Sequence, residues 1–202
     1  MMRVGVLASG SGSNFQALVD ALNVEGSEAR VAVLVCNVAE ARVVDRAKSA
    51  GVPVELLDHK PFGKDRAAYD AAIVAVLRKH QVDLVCLAGF MRLVGQTFLS
   101  AFPHRVLNIH PALLPAFPGM HAQRQAVAYG VKVSGCTVHF VDEGTDTGPI
   151  IGQTAVAVRD DDDEASLSAR ILVEEHRLYP EVVRWIARGR VSVDGRRVTV
   201  TQ

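Results

Sequence analysis

The first 110 residues alternate between short apolar runs and longer amphipathic stretches, and few folds accept that rhythm. Segments 4–8, 31–36, 52–57, 84–88 and 106–110 are nearly continuous and rich in Val and Leu. Strands buried on both faces have this composition. Between them, 14–22, 39–50 (closed by Gly51) and 66–80 carry helical patterns. Strand–helix–strand repetition predicts an α/β chain with a doubly wound, mostly parallel, twisted sheet and right-handed crossovers.

The rhythm changes after residue 120. A helix is expected at 121–129, then strands at 134–141 and 150–158 that pair antiparallel or mixed, then a long helix at 164–188. The chain finishes with VSVDGRRVTV, an alternating pattern whose Asp194-Gly195 marks a hairpin turn. With no repeat or linker, residues 1–202 are expected to form one domain, a βαβ half to residue 110 and a mixed part over 111–202. Lys+Arg and Asp+Glu both count 22, which leaves no basic field for nucleic acid. No apolar run approaches the roughly 20 residues of a membrane span. Cys36, Cys86 and Cys136 are odd in number, scattered and set among apolar neighbours, as reduced core thiols are. They point to the cytoplasm. The small-molecule partners this leaves are compatible with a monomer or a homodimer.

The candidate chemistry gathers at strand ends. After the first strand comes 9-SGSGSN-14 and then a helix, a turn whose N–H groups suit an anion. A dinucleotide fingerprint would need a third Gly where Phe15 stands, and the second strand ends in Cys36-Asn37 with no acid for a ribose. Gly-Lys-Ser/Thr, the mark of a Walker loop, is missing too. A single phosphate fits, with Ser11, Ser13 and Asn14 as further donors. The fourth strand leads into 86-CLAGFMRLV-94, which reads either as core or as one wall of a flat apolar slot. In 105-RVLNIHP-111, alternation puts Asn108 and His110 on one face and Pro111 stops the strand. The Gly-rich loop 142-DEGTDTGPI-150 supplies Asp146. An amide to donate to an oxyanion, an imidazole as acid and a carboxylate to tune it amount to acyl-transfer equipment without a nucleophile. A carboxylate beside an imidazole favours the charged ring, so Asp146 is expected to lift His110 above about 6.5.

Other features read as structure. His110, His121 and His139 follow no metal-ligand spacing. His139 lies among Val138, Phe140 and Val141 as a hydrogen-bonded core histidine would, and His59 and His104 look like loop residues. The acidic run 160–164 is expected to cap the long helix.

SGSGSN, LAGFMR, NIHPALLPAFPG, VHFVDEGTDTGPI and EEHRLYP, in this order, strongly resemble the glycinamide ribonucleotide formyltransferase family along essentially the whole chain. The resemblance implies a Rossmann-like formyltransferase fold and transfer of a formyl group from 10-formyltetrahydrofolate, as co-substrate, to the amine of 5'-phosphoribosylglycinamide in purine biosynthesis. No metal is required. Asn108, His110 and Asp146 match the family's catalytic trio. Gly12, Ser13 and Asn14 match its phosphate loop, and Glu175 matches the acid at the other end of that ribonucleotide. Met91, Arg92, Leu93 and Val94 match the backbone segment that reads the folate, and Arg66 matches an arginine assigned to it. Asn108 also faces the folate, and Asp142 and Glu143 belong to the loop that closes over its pterin. Ala116 and Leu172 depart from residues seen in some members. Formyltetrahydrofolate deformylase and methionyl-tRNA formyltransferase share the NIHP…LLP chemistry, but are expected to carry a further regulatory or RNA-binding domain. A silent sensor of phosphorylated metabolites would have no use for the oxyanion donor.

Overall fold

A computed structural model describes residues 1–201. The chain divides into two compact units, Met1–Leu107 and Asn108–Gln202. In the first unit, β1 (Met2–Ala8), β2 (Ala29–Cys36), β3 (Val54–Leu56) and β4 (Leu84–Leu87) are parallel neighbours in the order β3-β2-β1-β4. All four residues of β4 and the last five of β1 are buried, as their apolar sequences require. Helix α1 (Ser13–Leu22) buries Phe15, Leu18, Val19 and Leu22, one face at helical spacing. Helices α2 (Arg42–Ser49), α3 (Arg66–Lys79) and α4 (Gln96–Ala101) complete the unit.

The strand order fixes where a ligand can go. From β1 the chain moves outward to β2 and β3, then returns to place β4 on the other side of β1. Order reverses between β1 and β4, and the crevice outside the carboxyl ends of such strands is where open α/β sheets bind ligands. The loops beginning at Ser9 and at Ala88 both start there.

Strand β5 (Val106–His110) holds the division between the units, and the full sheet has seven strands, β3-β2-β1-β4-β5-β6-β7. In the second unit, β6 (Val133–Phe140) pairs antiparallel with β7 (Ile150–Ala157). Their register shifts between Val138 and His139. Helix α5 (Ala122–Tyr129) precedes β6 and the 24-residue α6 (Glu164–Ala187) follows β7. Asp163 caps α6 in a reciprocal capping box with Ser166, so the acidic run serves the helix start as expected. Asp162 is tied to Arg170 and Asp160 to Lys132. Strands β8 (Val191–Asp194) and β9 (Arg197–Val200) form the terminal hairpin.

Several boundaries differ from the sequence reading. The third strand shrinks to Val54–Leu56 because it is an edge strand behind Pro53, and Leu56 is exposed. Helix α2 begins at Arg42, three residues later than its pattern, and α4 and a short 3-10 turn at Lys60–Phe62 were not anticipated. Both are too short to show a helical period. No helix among the described residues is long and apolar enough to cross a membrane.

Candidate active site

Strand β5 ends as its alternation demands. Leu107 and Ile109 are buried on one face, while Asn108 and His110 share the other. After Pro111 the chain turns back on itself, and Thr137 of β6 fixes the turn. The Thr137 hydroxyl donates to the Ala112 carbonyl at 2.7 Å and accepts the Leu114 N–H at 3.1 Å. The Gln153 amide of β7 donates to the Leu114 carbonyl at 2.9 Å. Held this way, the loop presents two backbone groups to the site. The Phe117 carbonyl lies 2.8 Å from His110 Nε2, and the Gly119 N–H donates to Asp146 Oδ2 at 2.8 Å.

Asp146 is the hub. Its Oδ2 is 3.3 Å from His110 Nδ1, and its Oδ1 accepts from Asn108 Nδ2 at 3.4 Å and lies 3.7 Å from His139 Nε2. Asn108 Nδ2 is also 3.3 Å from His139 Nε2, whose ring anchors through Nδ1 to the Phe140 carbonyl at 2.9 Å. Asp146 has a φ of 55°, a left-handed backbone that the loop must enforce on a non-glycine residue. Its neighbours are engaged as well. Asp142 Oδ1 accepts from the Thr147 hydroxyl at 2.6 Å and the Gly144 N–H at 3.1 Å, and Arg196 of the terminal hairpin donates to the Thr147 carbonyl at 2.9 Å.

The electrostatics correct one expectation. His110 is 4% exposed, and burial pushes its pKa below the usual value, against the opposing pull of Asp146 and the Phe117 carbonyl. Asp146 therefore does not lift His110 above the ordinary value; it limits the fall. Desolvation of an imidazolium in a closed site outweighs a single partly exposed carboxylate. Burial also pushes Asp146 upward, but the His139 ring, the Gly119 N–H and the charge of His110 outweigh it and hold the carboxyl low. Both ring nitrogens of His110 face acceptors, so a proton arriving there finds a donor role at once. The cluster places a carboxyl held below its ordinary pKa beside an imidazole pushed below its own.

The anion loop of the first unit is built differently. Gly12 caps α1 at φ 72°, and a Cβ there would meet the Val43 side chain at 2.5 Å and its Cα at 2.8 Å. Only glycine fits between the loop and α2. The Val43 N–H donates to the Gly10 carbonyl at 3.1 Å, and Arg46 Nε donates to the Ser11 carbonyl at 2.9 Å. A trans peptide points its N–H opposite its carbonyl. Tying both carbonyls to α2 thus turns the Ser11 and Gly12 N–H groups away from it. Ser13 and Asn14 open α1.

The remaining residues fall into place by element. Met91, Arg92 and Leu93 are exposed beyond β4, with Val94 partly so; Arg66 opens α3, its Cδ 3.2 Å from where a Gly95 Cβ would lie. Glu175 is buried at 6% exposure on α6, and Glu143 is exposed. His121 approaches Glu164 and His59 approaches Asp58, away from the Asp146 cluster. Among the described residues no group of three or more His, Cys, Asp or Glu could hold a metal ion. His139, read from the sequence as a hydrogen-bonded core histidine, is 2% exposed and bonded to the Phe140 carbonyl, and its Nε2 also lies beside Asn108 and Asp146. The β6–β7 register shifts beside it, between Val138 and His139, and no residue type announces that. Sequence reasoning missed Thr137, Gln153 and the two loop backbone groups.

The first unit thus carries a Gly/Ser loop at the switch point, and the second an Asn–His–Asp–His cluster. The formyl transferase family model matches residues 2–183, and the chain belongs to that family. It is 50% identical over 201 residues to phosphoribosylglycinamide formyltransferase of Mycobacterium tuberculosis, across 98% of this chain and 91% of that protein. The Bacillus subtilis protein of the same name is 46% identical over 184 residues, 91% of this chain and 94% of its own. The crystal structure of glycinamide ribonucleotide transformylase 1 from Symbiobacterium toebii matches with a TM-score of 0.97 at 52% identity, covering 100% of this chain and 95% of that one.

Proposed function

We propose that this chain is a phosphoribosylglycinamide formyltransferase, moving the formyl group of 10-formyltetrahydrofolate to the amine of 5'-phosphoribosylglycinamide. The observation that carries the reading is the convergence of Asn108, His110 and His139 on Asp146. The amine nitrogen attacks the formyl carbon, and the carbonyl pair moves to oxygen as a tetrahedral oxyanion. The Asn108 amide donates to that oxyanion. His110, neutral at rest, takes the proton the amine gives up and delivers it to the departing folate nitrogen. Asp146 stabilises the ring while it is charged, and His139 orients the Asn108 amide. The C–N bond to folate breaks as the new formamide forms, leaving tetrahydrofolate and formylglycinamide ribonucleotide. No metal takes part.

Gly12, Ser13 and Asn14 hold the ribonucleotide phosphate through the helix start, and Glu175 holds its other end. The backbone of 91–94 reads the folate ring; Arg66, Asp142 and Glu143 border it. Reduced, buried cysteines suit a cytoplasmic reaction between small molecules. The test is tetrahydrofolate release from 10-formyltetrahydrofolate, followed by absorbance with purified protein. Release that requires the ribonucleotide is the expected result; release without it marks a deformylase, and none at all contradicts the reading.

A further inference from the structure

Met91 is 67% exposed and Leu93 61% exposed, yet the backbone on either side of this apolar tip is tied to buried side chains. At one end, Ser9 is 9% exposed, and its hydroxyl accepts the Met91 N–H at 2.9 Å while donating to Asn37 Oδ1 at 2.6 Å. The Ser9 N–H adds a bond to the Gly89 carbonyl at 3.0 Å. At the other end, Asp70 of α3 is 1% exposed, and its Oδ2 accepts the Gly95 N–H at 2.8 Å. Gly95 is needed for that approach, because a Cβ would sit 2.8 Å from Asp70 Oδ2. Between these ties, residues 92–94 form no backbone–backbone hydrogen bond among the described residues.

A buried carboxylate is costly unless it is paired, hydrogen-bonded or neutralised. Asp70 Oδ1 has no hydrogen-bond partner among the described residues, and burial pushes the carboxyl's pKa up against the Gly95 amide and the Arg66 charge. Its Oδ2 takes the Gly95 N–H at the far end of the exposed segment, and the Phe98 N–H of α4 also reaches the carboxylate. Ser9 likewise spends its hydroxyl on the near end, although it opens the anion loop. The loop's own orientation comes from Val43 and Arg46.

We infer that Ser9 and Asp70 are positioning residues that hold segment 91–95 taut between two buried anchors. Its open N–H and C=O groups then meet the edge of a flat heterocycle that has donors and acceptors of its own. This rests on the folate reading above and deepens it. A segment anchored at both ends has little ordering entropy left to lose on binding. Neither anchor touches the reacting atoms, so the effect of losing one falls on folate affinity.

The experiment compares Ser9→Ala, Asp70→Leu and Asp70→Asn. Asparagine keeps an oxygen for the Gly95 N–H, whereas leucine fills the space without one. Leaving a buried amide unmatched is expected to raise the folate KM about tenfold in Ser9→Ala and Asp70→Leu. Asp70→Asn should restore the folate KM to within about threefold of wild type, and the ribonucleotide KM and kcat should change by less than about threefold in all three. A lowered Tm with an unchanged folate KM, or equal rises in both KM values, overturns the inference. Amide hydrogen exchange of wild-type protein provides the arm that needs no variant and no substrate. Protected Met91 and Gly95 amides support the anchors; exchange of either at the unprotected rate overturns them. If wild-type protein shows the exchange protection but neither binds tetrahydrofolate nor turns over, the folate reading and the inference's purpose for the anchors fail while the anchors themselves stand.

Discussion

The cluster around Asp146 and the segment 91–95 use the same chemistry of hydrogen bonds to opposite ends. In the cluster, two buried imidazoles and two partly exposed side chains are bonded to one another, so His110, His139 and Asp146 each have a fixed partner before any substrate arrives. In the segment, side chains are exposed and only the ends are bonded, which leaves the backbone between them open. Preorganised donors and acceptors suit charge that develops during a reaction. An anchored, open backbone suits recognition of a ligand that stays neutral. The difference separates turnover from affinity, residue by residue.

Substitution can break that separation. The largest effect is expected at Asn108, whose amide donates to Asp146 and which we propose as the oxyanion donor. Asn108→Ala should lower kcat by roughly 10²–10³, the usual cost of one oxyanion donor, with folate binding little changed. Steady-state kinetics beside a folate binding measurement checks this, and a loss under about tenfold would remove the oxyanion role. A smaller effect of a different kind is expected at Asn14 in the anion loop. Asn14→Ala should raise the ribonucleotide KM about tenfold, the scale of one hydrogen bond to a charged group, and leave the folate KM nearly alone. Equal rises in both would show that the two ligands have been assigned to the wrong segments.

Legibility in the sequence followed the same division. The doubly wound sheet was readable because β1 from Val4, β2 from Val31 and all of β4 are apolar and α1 has one apolar face. Strand β3 and helix α4 were blurred because an edge strand and a six-residue helix bury too little to impose a period. Asn108, His110 and Asp146 stood out as polar residues at the ends of apolar runs or in a Gly-rich loop. His139 did not, because its neighbours are apolar and the register shift beside it has no residue signature. The Phe117 carbonyl and the Gly119 N–H could not stand out, since every residue has such groups and only the fold aims them. Ser9 and Asp70 were hidden for the opposite reason. A Ser in a Gly-Ser loop and an Asp in a helix are commonplace until the bonds they make across the unit are seen.

In the proposed mechanism Asp146 acts on His110 through its charge. NMR titration of His110 in wild-type protein and in Asp146→Asn, with kcat measured on both, tests it most directly. Burial should place the wild-type pKa below the ordinary value of 6.5. Asp146→Asn preserves the shape and removes the charge that opposes that fall, so the pKa should drop further. Turnover should fall by at least about a hundredfold, the lower range for losing effective acid–base catalysis. The left-handed turn at residue 146 tolerates asparagine well, so a role confined to the turn would survive the change. An unchanged His110 pKa with near-normal turnover would leave Asp146 a turn residue with no charge role at His110.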